Sequence, residues 1–265
     1  MAQRMAVFFD IDGTILPHGM NAIPPETIAA IRAAQANGHL CFINTGREEA
    51  TIERFLREAG FDGIIAGLGL SARMGDKVLW RHPPNEAMTR RVLEASRACG
   101  VRVLFEGNEA TGYDGWRFPP NEEEQAIIAA NRAQGRKIVI FGEHDPLIVT
   151  KFTVTPRWGG DEARFLSMLG DSVQVLSYGT GWHEIVPPGF DKGTAMQRML
   201  DYLGLPLAQS IAVGDSLNDL SMLTLCPNGV AMGNGIAKEY PVSFVTLPCT
   251  EGGIPHLLRH FGLID

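Results

Sequence analysis

Short apolar runs that lead into polar loops recur along this chain. Residues 5–9 are apolar throughout and stop at Asp10, and residues 40–43 and 210–213 also end at polar or glycine-containing stretches. A run that is apolar at every position is typical of a central parallel strand, which helices cover on both faces. These runs therefore predict buried parallel strands whose carboxyl ends carry polar loops.

Stretches with apolar residues at helical spacing lie between these runs. One lies between the proline pair at 24–25 and Gly38, because proline favours the first helical turn and glycine the residue after the last. A second covers residues 52–59 and leads into a short strand at 64–65. The order strand, helix, strand, helix, strand predicts an α/β fold with a doubly wound, mainly parallel Rossmann-like sheet and right-handed crossovers.

The pattern changes in the middle of the chain, where helices are set beside β-hairpin signals. We expect helices over about residues 88–99 and 121–134, and a loop over residues 107–120. Residues 179–181 (GTG) lie between two apolar segments and predict a hairpin turn. Because this region lacks a regular strand–helix–strand order, it indicates an α+β domain inserted into the first one.

Two proline-rich joints mark the limits of the insert. They lie at residues 83–84 and 187–189. We therefore expect a core domain formed by residues 1–81 and 187–265, and an inserted domain formed by residues 82–186. After the second joint the alternation of helices and strands resumes, as expected if the chain returns to the first sheet.

Composition and charge exclude several classes of protein. Of the 265 residues 45% are hydrophobic, as in globular proteins, and the formal net charge of -7 argues against nucleic acid as a partner. No apolar run approaches the roughly 18 residues that a membrane helix needs, so we expect no membrane partner and a cytoplasmic location. The four cysteines lie far apart, and Cys41 and Cys99 have the apolar neighbours typical of reduced, buried thiols.

One glycine-rich stretch matches a dinucleotide-binding fingerprint. Residues 67–72 (GLGLSA) fit the pattern G-x-G-x-x-A, but that site requires a helix directly afterwards. Residues 73–78 instead predict a hairpin between short strands. We therefore do not expect a nicotinamide or flavin cofactor.

The strongest chemical signal is a pair of carboxylates at the end of the first strand. Asp10 and Asp12 are two residues apart, so both side chains lie on one side of an extended chain. Two carboxylates at so short a distance repel each other, so one of them must share a cation or hold a proton. A simple strand-ending turn, with aspartate as a cap and Gly13 at positive φ, explains the same residues without any chemistry.

Three further polar stretches favour the chemical interpretation. Because the carboxyl ends of parallel strands share one edge of a sheet, loops that follow them can converge. Residues 10–14 (DIDGT), 45–47 (TGR), 191–193 (DKG) and 214–219 (GDSLND) resemble motifs I to IV of the haloacid dehalogenase-like phosphohydrolases, in the order of that family. The long insert before the third motif resembles the C2-type cap of the Cof-like subfamily.

The resemblance implies a Mg²⁺-dependent phosphatase that forms an aspartyl-phosphate. It makes Asp10 the nucleophile and Asp12 the general acid and base. It assigns the phosphate group to Thr45, Gly46, Lys192 and Asn218. It assigns Mg²⁺ to the carboxylates of Asp10 and Asp215 and the backbone carbonyl of Asp12. Asp219 would be a ligand through a water molecule or an orienting group.

The resemblance also implies a small phosphorylated metabolite, such as a sugar phosphate, as the substrate. The inserted domain would cover the site, and its Glu106, Trp116, Arg117 and His183 either contact the leaving group or only pack. The sequence is compatible with a homo-oligomer, and it specifies neither the oligomeric state nor the physiological substrate.

Other functions remain open at this point. Phosphoryl transfer between sugars, as in a phosphomutase, uses the same core residues. Dehalogenation is a less favoured alternative, because Asp12 and a metal would have no function in that reaction. A receiver-like signalling domain also phosphorylates an aspartate, but it leaves Asp12 and the insert of roughly a hundred residues without a role.

Overall fold

The computed structural model describes residues 3–155, 159–179 and 181–265, and the chain divides into two compact units. The core unit comprises Met1–Arg47, Ile52–Arg81 and Asp191–Asp265. The inserted unit comprises Glu48–Thr51 and His82–Phe190.

The strands and helices are numbered in chain order. The strands are β1 (Ala6–Phe9), β2 (Leu40–Asn44), β3 (Gly63–Ala66), β4 (Ser71–Met74), β5 (Lys77–Arg81), β6 (Leu104–Glu106), β7 (Thr111–Asp114), β8 (Ile138–Phe141), β9 (Lys151–Val154), β10 (Gln174–Ser177), β11 (His183–Val186), β12 (Ser210–Gly214), β13 (Gly229–Ala231) and β14 (Phe244–Val245). The α-helices are α1 (Pro25–Ala36), α2 (Arg54–Arg57), α3 (Glu86–Cys99), α4 (Glu122–Ala133), α5 (Glu162–Leu169), α6 (Lys192–Leu203), α7 (Leu220–Leu225) and α8 (Gly253–His260).

The core unit is built on an eight-stranded sheet in the order β14-β13-β12-β1-β2-β3-β4-β5. Pairing is parallel from β14 to β3, and only β4 and β5 are antiparallel. Along β1, Val7 and Phe9 pack on the side of α1 and α8, whereas Ala6 and Phe8 pack on the side of α6 and α7. The predicted doubly wound sheet, apolar on both faces, is confirmed.

The glycine-rich stretch at 67–72 is not a dinucleotide site. Gly67–Gly69 forms a single 3-10 turn, and the hairpin of β4 and β5 follows it in place of a helix. Leu68 within the turn has a φ of 59°, a left-handed conformation that residues with a side chain seldom adopt. The fingerprint therefore matches in its letters but lacks the helix that would bind a pyrophosphate.

The helix predicted over residues 52–59 is largely wrong. A 3-10 turn at Glu49–Thr51 and the four-residue α2 stand there instead. Glu53 between them has an extended backbone, with φ -63° and ψ 151°, and its carboxylate pairs with Arg47. The helix can begin only after Glu53. The apolar residues at helical spacing over 52–59 therefore lie on both sides of a break in the helix, which the sequence pattern does not reveal.

The inserted unit contains a six-stranded sheet in the order β10-β11-β9-β6-β7-β8. Helices α3 and α5 pack on one face of it, against Phe105, Phe152 and Ile185. The predicted hairpin pairs β10 with β11, although Thr180 of its turn lies outside the described residues. The loop expected over residues 107–120 is wrong in part, because β7 lies within it and pairs with β6 and β8.

The opposite face of this sheet carries a buried charge cluster. The Lys151 ammonium lies 3.2 Å from the Glu106 carboxylate and 2.5 Å from that of Glu184. Burial alone would lower the pKa of Lys151, but the facing carboxylates outweigh it and the pKa is raised. Glu106, which the resemblance offers as a contact to a leaving group, is thus paired within the inserted unit.

The other three side chains expected near a leaving group also have partners within the inserted unit. His183 hydrogen-bonds to Ser177 (2.8 Å) and to Glu162 (3.0 Å). The guanidinium of Arg97 lies over the Trp116 ring, and that of Arg117 over the ring of Phe118.

Glu48 makes the stability of the inserted unit depend on pH. It is fully buried, accepts a hydrogen bond from Thr150 (2.9 Å), and has one oxygen without a partner among the described residues. Burial raises its pKa from 4.5 to about 7, against the opposing charge of Lys151. The folded protein therefore holds this proton more tightly than the unfolded chain, and stability is lost as the pH rises from about 4.5 to about 7.

We expect Glu48→Gln to remove this loss, because the amide mimics the protonated acid. The variant should equal the wild type near pH 5 and be more stable by about 2 kcal/mol near pH 8. Urea unfolding at both pH values measures the difference, with Glu109→Gln at an exposed turn as the control. A variant that is less stable than the wild type at the higher pH would contradict the assignment.

None of the helices in the described part of the chain is long and apolar enough to cross a membrane. All four cysteines are buried and free, which confirms the expectation for Cys41 and Cys99.

Candidate active site

Three buried carboxylates meet at the carboxyl edge of the core sheet. Asp10 follows β1 and Asp215 follows its neighbour β12, and the register pairs Phe9 with Val213. The Asp10 backbone N–H donates to the carbonyl of Val213 (3.0 Å), so the two strand ends are held level. Carboxylate oxygens of Asp10, Asp215 and Asp219 all lie within 4.8 Å of one another. Motifs I and IV therefore converge as parallel pairing predicts.

Lys192 places a positive charge among these carboxylates. The side chain is fully buried, and its Nζ lies 2.6 Å from Oδ1 of Asp10 and 2.6 Å from Oδ1 of Asp219. Burial alone would lower the pKa of Lys192, but the two carboxylates more than offset it, so the pKa is raised and the ammonium persists. For Asp10, burial and the charge of Asp219 raise the pKa, and Lys192 opposes them.

The start of α6 fixes the position of Lys192. Asp191 caps the helix: its Oδ1 accepts a hydrogen bond from the Thr194 N–H (2.7 Å), and its own backbone N–H donates to Oγ1 of Thr194 (3.1 Å). The side-chain amide of Asn44, at the end of β2, donates to the carbonyl of Lys192 (2.9 Å). A lysine in the first turn is usually solvated, and these contacts turn it into the core instead.

Asp219 orients the loop of motif IV. Its Oδ2 accepts hydrogen bonds from the backbone N–H groups of Asp215 and Ser216, each at 2.9 Å, while Oδ1 accepts from Lys192. Asn218 lies beside it, with Oδ1 3.4 Å from the Lys192 ammonium. Both oxygens of Asp219 are thus in use within the protein, which suits an orienting role better than a direct ligand.

Asp215 has an oxygen without a partner. Oδ1 is buried and accepts no hydrogen bond from any described residue. Burial and the nearby charge of Asp219 raise the pKa of Asp215 to about 7. The approach of motif I to this side chain depends on Gly13, at φ +77°, where a Cβ would lie 2.3 Å from Oδ2 of Asp215.

The donor set fits a divalent cation. Three carboxylates face one ammonium, one buried oxygen lacks a partner, and all the available atoms are the hard oxygen ligands that Mg²⁺ and Ca²⁺ prefer. Cations of this kind would offset the burial and the repulsion that raise the pKa of Asp10 and Asp215.

Asp12 is not one of these three clustered carboxylates and pairs with an arginine. Arg47 donates from Nε to Oδ2 of Asp12 (2.7 Å) and from Nη2 to Oδ1 (2.5 Å), and its remaining nitrogen pairs with Glu53. This fork holds both oxygens of Asp12 in one plane. The Asp12 side chain is 46% exposed, so the group that could transfer a proton is accessible to solvent.

Thr45 and Gly46 lie in the loop after β2, next to β1 in the sheet. Both are buried, and Oγ1 of Thr45 accepts a hydrogen bond from the Arg47 N–H (3.1 Å). Thr45 is connected to the carboxylate of Asp12 through Arg47, which hydrogen-bonds to both residues. The structure thus places every predicted site residue in loops or helix starts at one sheet edge.

Two residues at this edge carry no role in the sequence prediction. Arg47 is part of the motif II resemblance, but its partners Asp12 and Glu53 become evident only from the structure. His18 lies with Nε2 4.0 Å from Oδ2 of Asp215, on a side chain that is 75% exposed. The position of His18 in the loop that follows motif I was the one feature of the sequence that could have indicated its proximity to the site.

Comparisons with known proteins agree with this geometry. The family model for haloacid dehalogenase-like hydrolases matches residues 7–258. The chain is 27% identical to a protein named putative phosphatase YkrA of Bacillus subtilis, over 97% of this chain and 98% of that one. It is also 27% identical to a protein named HMP-PP phosphatase of Yersinia enterocolitica, over 97% and 95%.

Solved structures give the same result. The sugar phosphatase BT4131, of HAD subclass IIB, superposes with a TM-score of 0.80 at 26% identity, covering 98% of this chain and 100% of that one. A structure from a study of a trigonal-bipyramidal intermediate in a phosphoryl-transfer superfamily superposes with a TM-score of 0.81 at 26% identity, covering 99% and 100%. Enzymes of this family generally use a divalent metal. The chain belongs to the haloacid dehalogenase-like hydrolases, within the Cof-like subfamily, and it is a phosphoric monoester hydrolase.

Proposed function

We propose that the protein hydrolyses small phosphorylated metabolites with Mg²⁺, through an aspartyl-phosphate on Asp10. The observation that carries this proposal is the position of the Asp10 carboxylate, 2.6 Å from a buried ammonium and within 4.8 Å of two further carboxylates. A carboxylate is a weak, like-charged nucleophile toward a phosphate ester, so neutralisation and placement must supply the catalysis.

In the first step an Asp10 oxygen forms a bond to phosphorus while the bond from phosphorus to the ester oxygen breaks. Asp12, protonated at that moment, gives its proton to the leaving alkoxide. In the second step Asp12 takes a proton from a water that attacks phosphorus and releases Asp10. The pairing of both Asp12 oxygens with Arg47 favours a fixed orientation for these transfers.

The phosphoryl oxygens would be held by Thr45, Gly46, Lys192 and Asn218. Lys192 already neutralises Asp10 and would share its charge with the incoming anion. The backbone N–H groups of the loop after β2 suit an anion in the same way as a helix start.

Mg²⁺ would be held by the carboxylates of Asp10 and Asp215 and the backbone carbonyl of Asp12, with Asp219 orienting the loop. When bound, the ion supplies positive charge to a phosphate oxygen and keeps several waters. The unpartnered oxygen of Asp215 supports this assignment.

Removal of divalent metal should abolish turnover. Protein dialysed against EDTA and freed of the chelator should release no phosphate above background, and added Mg²⁺ should restore the rate. The reason is that one ammonium, that of Lys192, cannot balance the negative charge of three clustered carboxylates, so the metal must supply the remaining positive charge. Phosphate release followed in real time measures this, and full activity of the metal-free protein would contradict the proposal.

Arg47→Lys should lower kcat with little change in KM. A lysine can contact one Asp12 oxygen but cannot bridge both and reach Glu53, so Asp12 would lose its fixed orientation. We expect a loss of about 10- to 100-fold in kcat. Arg54→Lys, which alters an exposed arginine paired with Glu58, is the matched control. Equal kcat values in both variants would remove Arg47 from the mechanism.

The substrate is best sought among phosphomonoesters and pyrophosphates of small metabolites. The names of the relatives point to HMP-PP and to sugar phosphates as the first compounds to test. A panel of phosphorylated metabolites assayed for phosphate release with Mg²⁺ ranks them by kcat/KM. Addition of free sugar acceptors in the same assay separates hydrolysis from phosphoryl transfer, since a transferase would release less phosphate.

A further inference from the structure

The inserted unit contains a cavity of about 490 Å³. Its volume lies in the range of small-molecule pockets. Three aromatic side chains and one face of α4 line it, and the residues that matter here are Tyr113, Phe118, Trp182, Ile127, Ile128 and Glu123.

The cavity lies on the sheet face that α3 and α5 leave free. Tyr113 on β7 lies directly across from Leu104 on β6, and Leu104 lies across from Thr153 on β9. Residues directly across from one another point to the same side of a sheet. Phe105 and Phe152, the next residues along β6 and β9, point to the other side and pack with α3 and α5.

Apolar side chains of α4 line this cavity and are not part of the packed core of the inserted unit. Ile128 is nearly buried, at 7% exposure, and Ile127 is 52% exposed. Among the described residues, neither belongs to the apolar cluster that joins α3 and α5 to the sheet. Trp182 is also 45% exposed. Apolar and aromatic surface left open in a concave site favours a ligand that covers it.

Among the described residues, the charged groups of the wall leave one carboxylate without a counter-charge. Arg102 is ion-paired with Glu124 and donates to the carbonyl of Phe118 (2.8 Å), so its charge is satisfied. Glu123 on the same helix has no hydrogen-bond partner among the described residues, and it is exposed. The cavity therefore offers aromatic faces together with one negative charge that no described residue pairs.

We propose that this cavity binds a planar aromatic ring that carries a cationic N–H donor, such as an arylamidine or a protonated amino-heterocycle. The ring would lie against Trp182 and Tyr113, whose π-faces attract cations and flat rings, and the N–H group would donate to Glu123. None of the residues assigned above to the nucleophile, the phosphate group or the metal lines this cavity, so the proposal does not rest on the phosphatase mechanism.

Three matched probes test the chemistry. Benzamidine has the ring and the cationic donors, cyclohexanecarboxamidine has the donors without a flat ring, and benzoate has the ring with the opposite charge. Isothermal titration of the full chain should detect benzamidine binding, about fivefold weaker binding of cyclohexanecarboxamidine, and none of benzoate. Absence of benzamidine binding, or equal binding of all three, would overturn the proposal.

Variants locate the binding. Trp182→Ala should weaken benzamidine binding at least about fivefold, Glu123→Gln should weaken benzamidine and cyclohexanecarboxamidine alike, and Ile127→Trp should block the cavity. Glu122→Gln, at the neighbouring exposed acid, is the matched control and should bind normally. Thermal unfolding of each variant establishes that it is folded, and Ile127→Trp tests the site without removing any contact. Benzamidine binding unchanged in Ile127→Trp would place the probe elsewhere and overturn the proposal.

Discussion

Asp10→Asn should reduce phosphate release by about 10⁴-fold or more and leave no phosphorylated protein after acid quench. The amide has the shape of the carboxylate but neither its charge nor its nucleophilicity. Because burial raises the pKa of Asp10 well above its usual range, the ionised side chain is costly to the fold, and its replacement should leave the unfolding temperature equal or higher. A catalytic loss in a protein of undiminished stability marks a catalytic residue, and the simultaneous loss of the phosphorylated protein identifies it as the nucleophile.

A control variant and a quench experiment make this result specific. Asp76→Asn changes the same functional group at a fully exposed turn and should behave as the wild type. Wild-type protein mixed with a labelled phosphomonoester and quenched in acid should carry label, and treatment with hydroxylamine should remove it, as expected for an acyl phosphate. Turnover by Asp10→Asn at a tenth of the wild-type rate or above would exclude Asp10 as the nucleophile. A stable label without turnover in the wild type would instead favour a receiver-like role.

The position of the site follows from strand ends that can be read in the sequence. The run at 5–9 is apolar at every position because β1 is covered on both faces, and this identifies it as central. Once the strands are parallel, Asp10 and Asp215 must emerge at one edge, since β1 and β12 are neighbours in register. Local patterns and the chain order of four short motifs therefore carried most of the prediction.

The parts that the sequence did not reveal depend on contacts between distant residues. Arg47 pairs with Asp12, 35 positions away, and its place in the motif II resemblance does not reveal this partner. Likewise Lys151 faces Glu106 and Glu184 only because β9 lies between β6 and β11. Such pairs arise from strand order, which apolar periodicity does not specify.

Strand β7 was missed for a different reason. Its Gly112 lies in a stretch rich in glycine and proline, which is typical of a loop. In the structure a Cβ at Gly112 would lie 2.9 Å from a methyl carbon of Leu147, so the glycine allows close packing within a sheet. The same residue type thus marks a turn at Gly13 and a crowded strand at Gly112.

Lys192→Met should remove both catalysis and much of the stability of the core unit. The substitution retains the apolar stem and deletes the ammonium that lies 2.6 Å from both Asp10 and Asp219. Removing one partner from a buried ion pair commonly costs about 3–5 kcal/mol, because the remaining charge is desolvated and unpaired. We expect a loss of that order in urea unfolding of the metal-free protein, and a loss of about 10³-fold or more in kcat/KM. Lys238→Met, at an exposed lysine of the same unit, is the matched control.

A double-mutant cycle separates the two roles of this lysine. Lys192→Met combined with Asp219→Asn removes one charge of each sign, so the double variant should be more stable than Lys192→Met alone even though Asp219 also holds the backbone of Asp215. Activity should stay absent, because neutralising Asp219 returns no positive charge to Asp10 or to the phosphate. If the double variant recovered turnover, Lys192 would serve only to balance Asp219. If neither variant lost stability, the ammonium would not be the counter-charge that allows these carboxylates to be buried together.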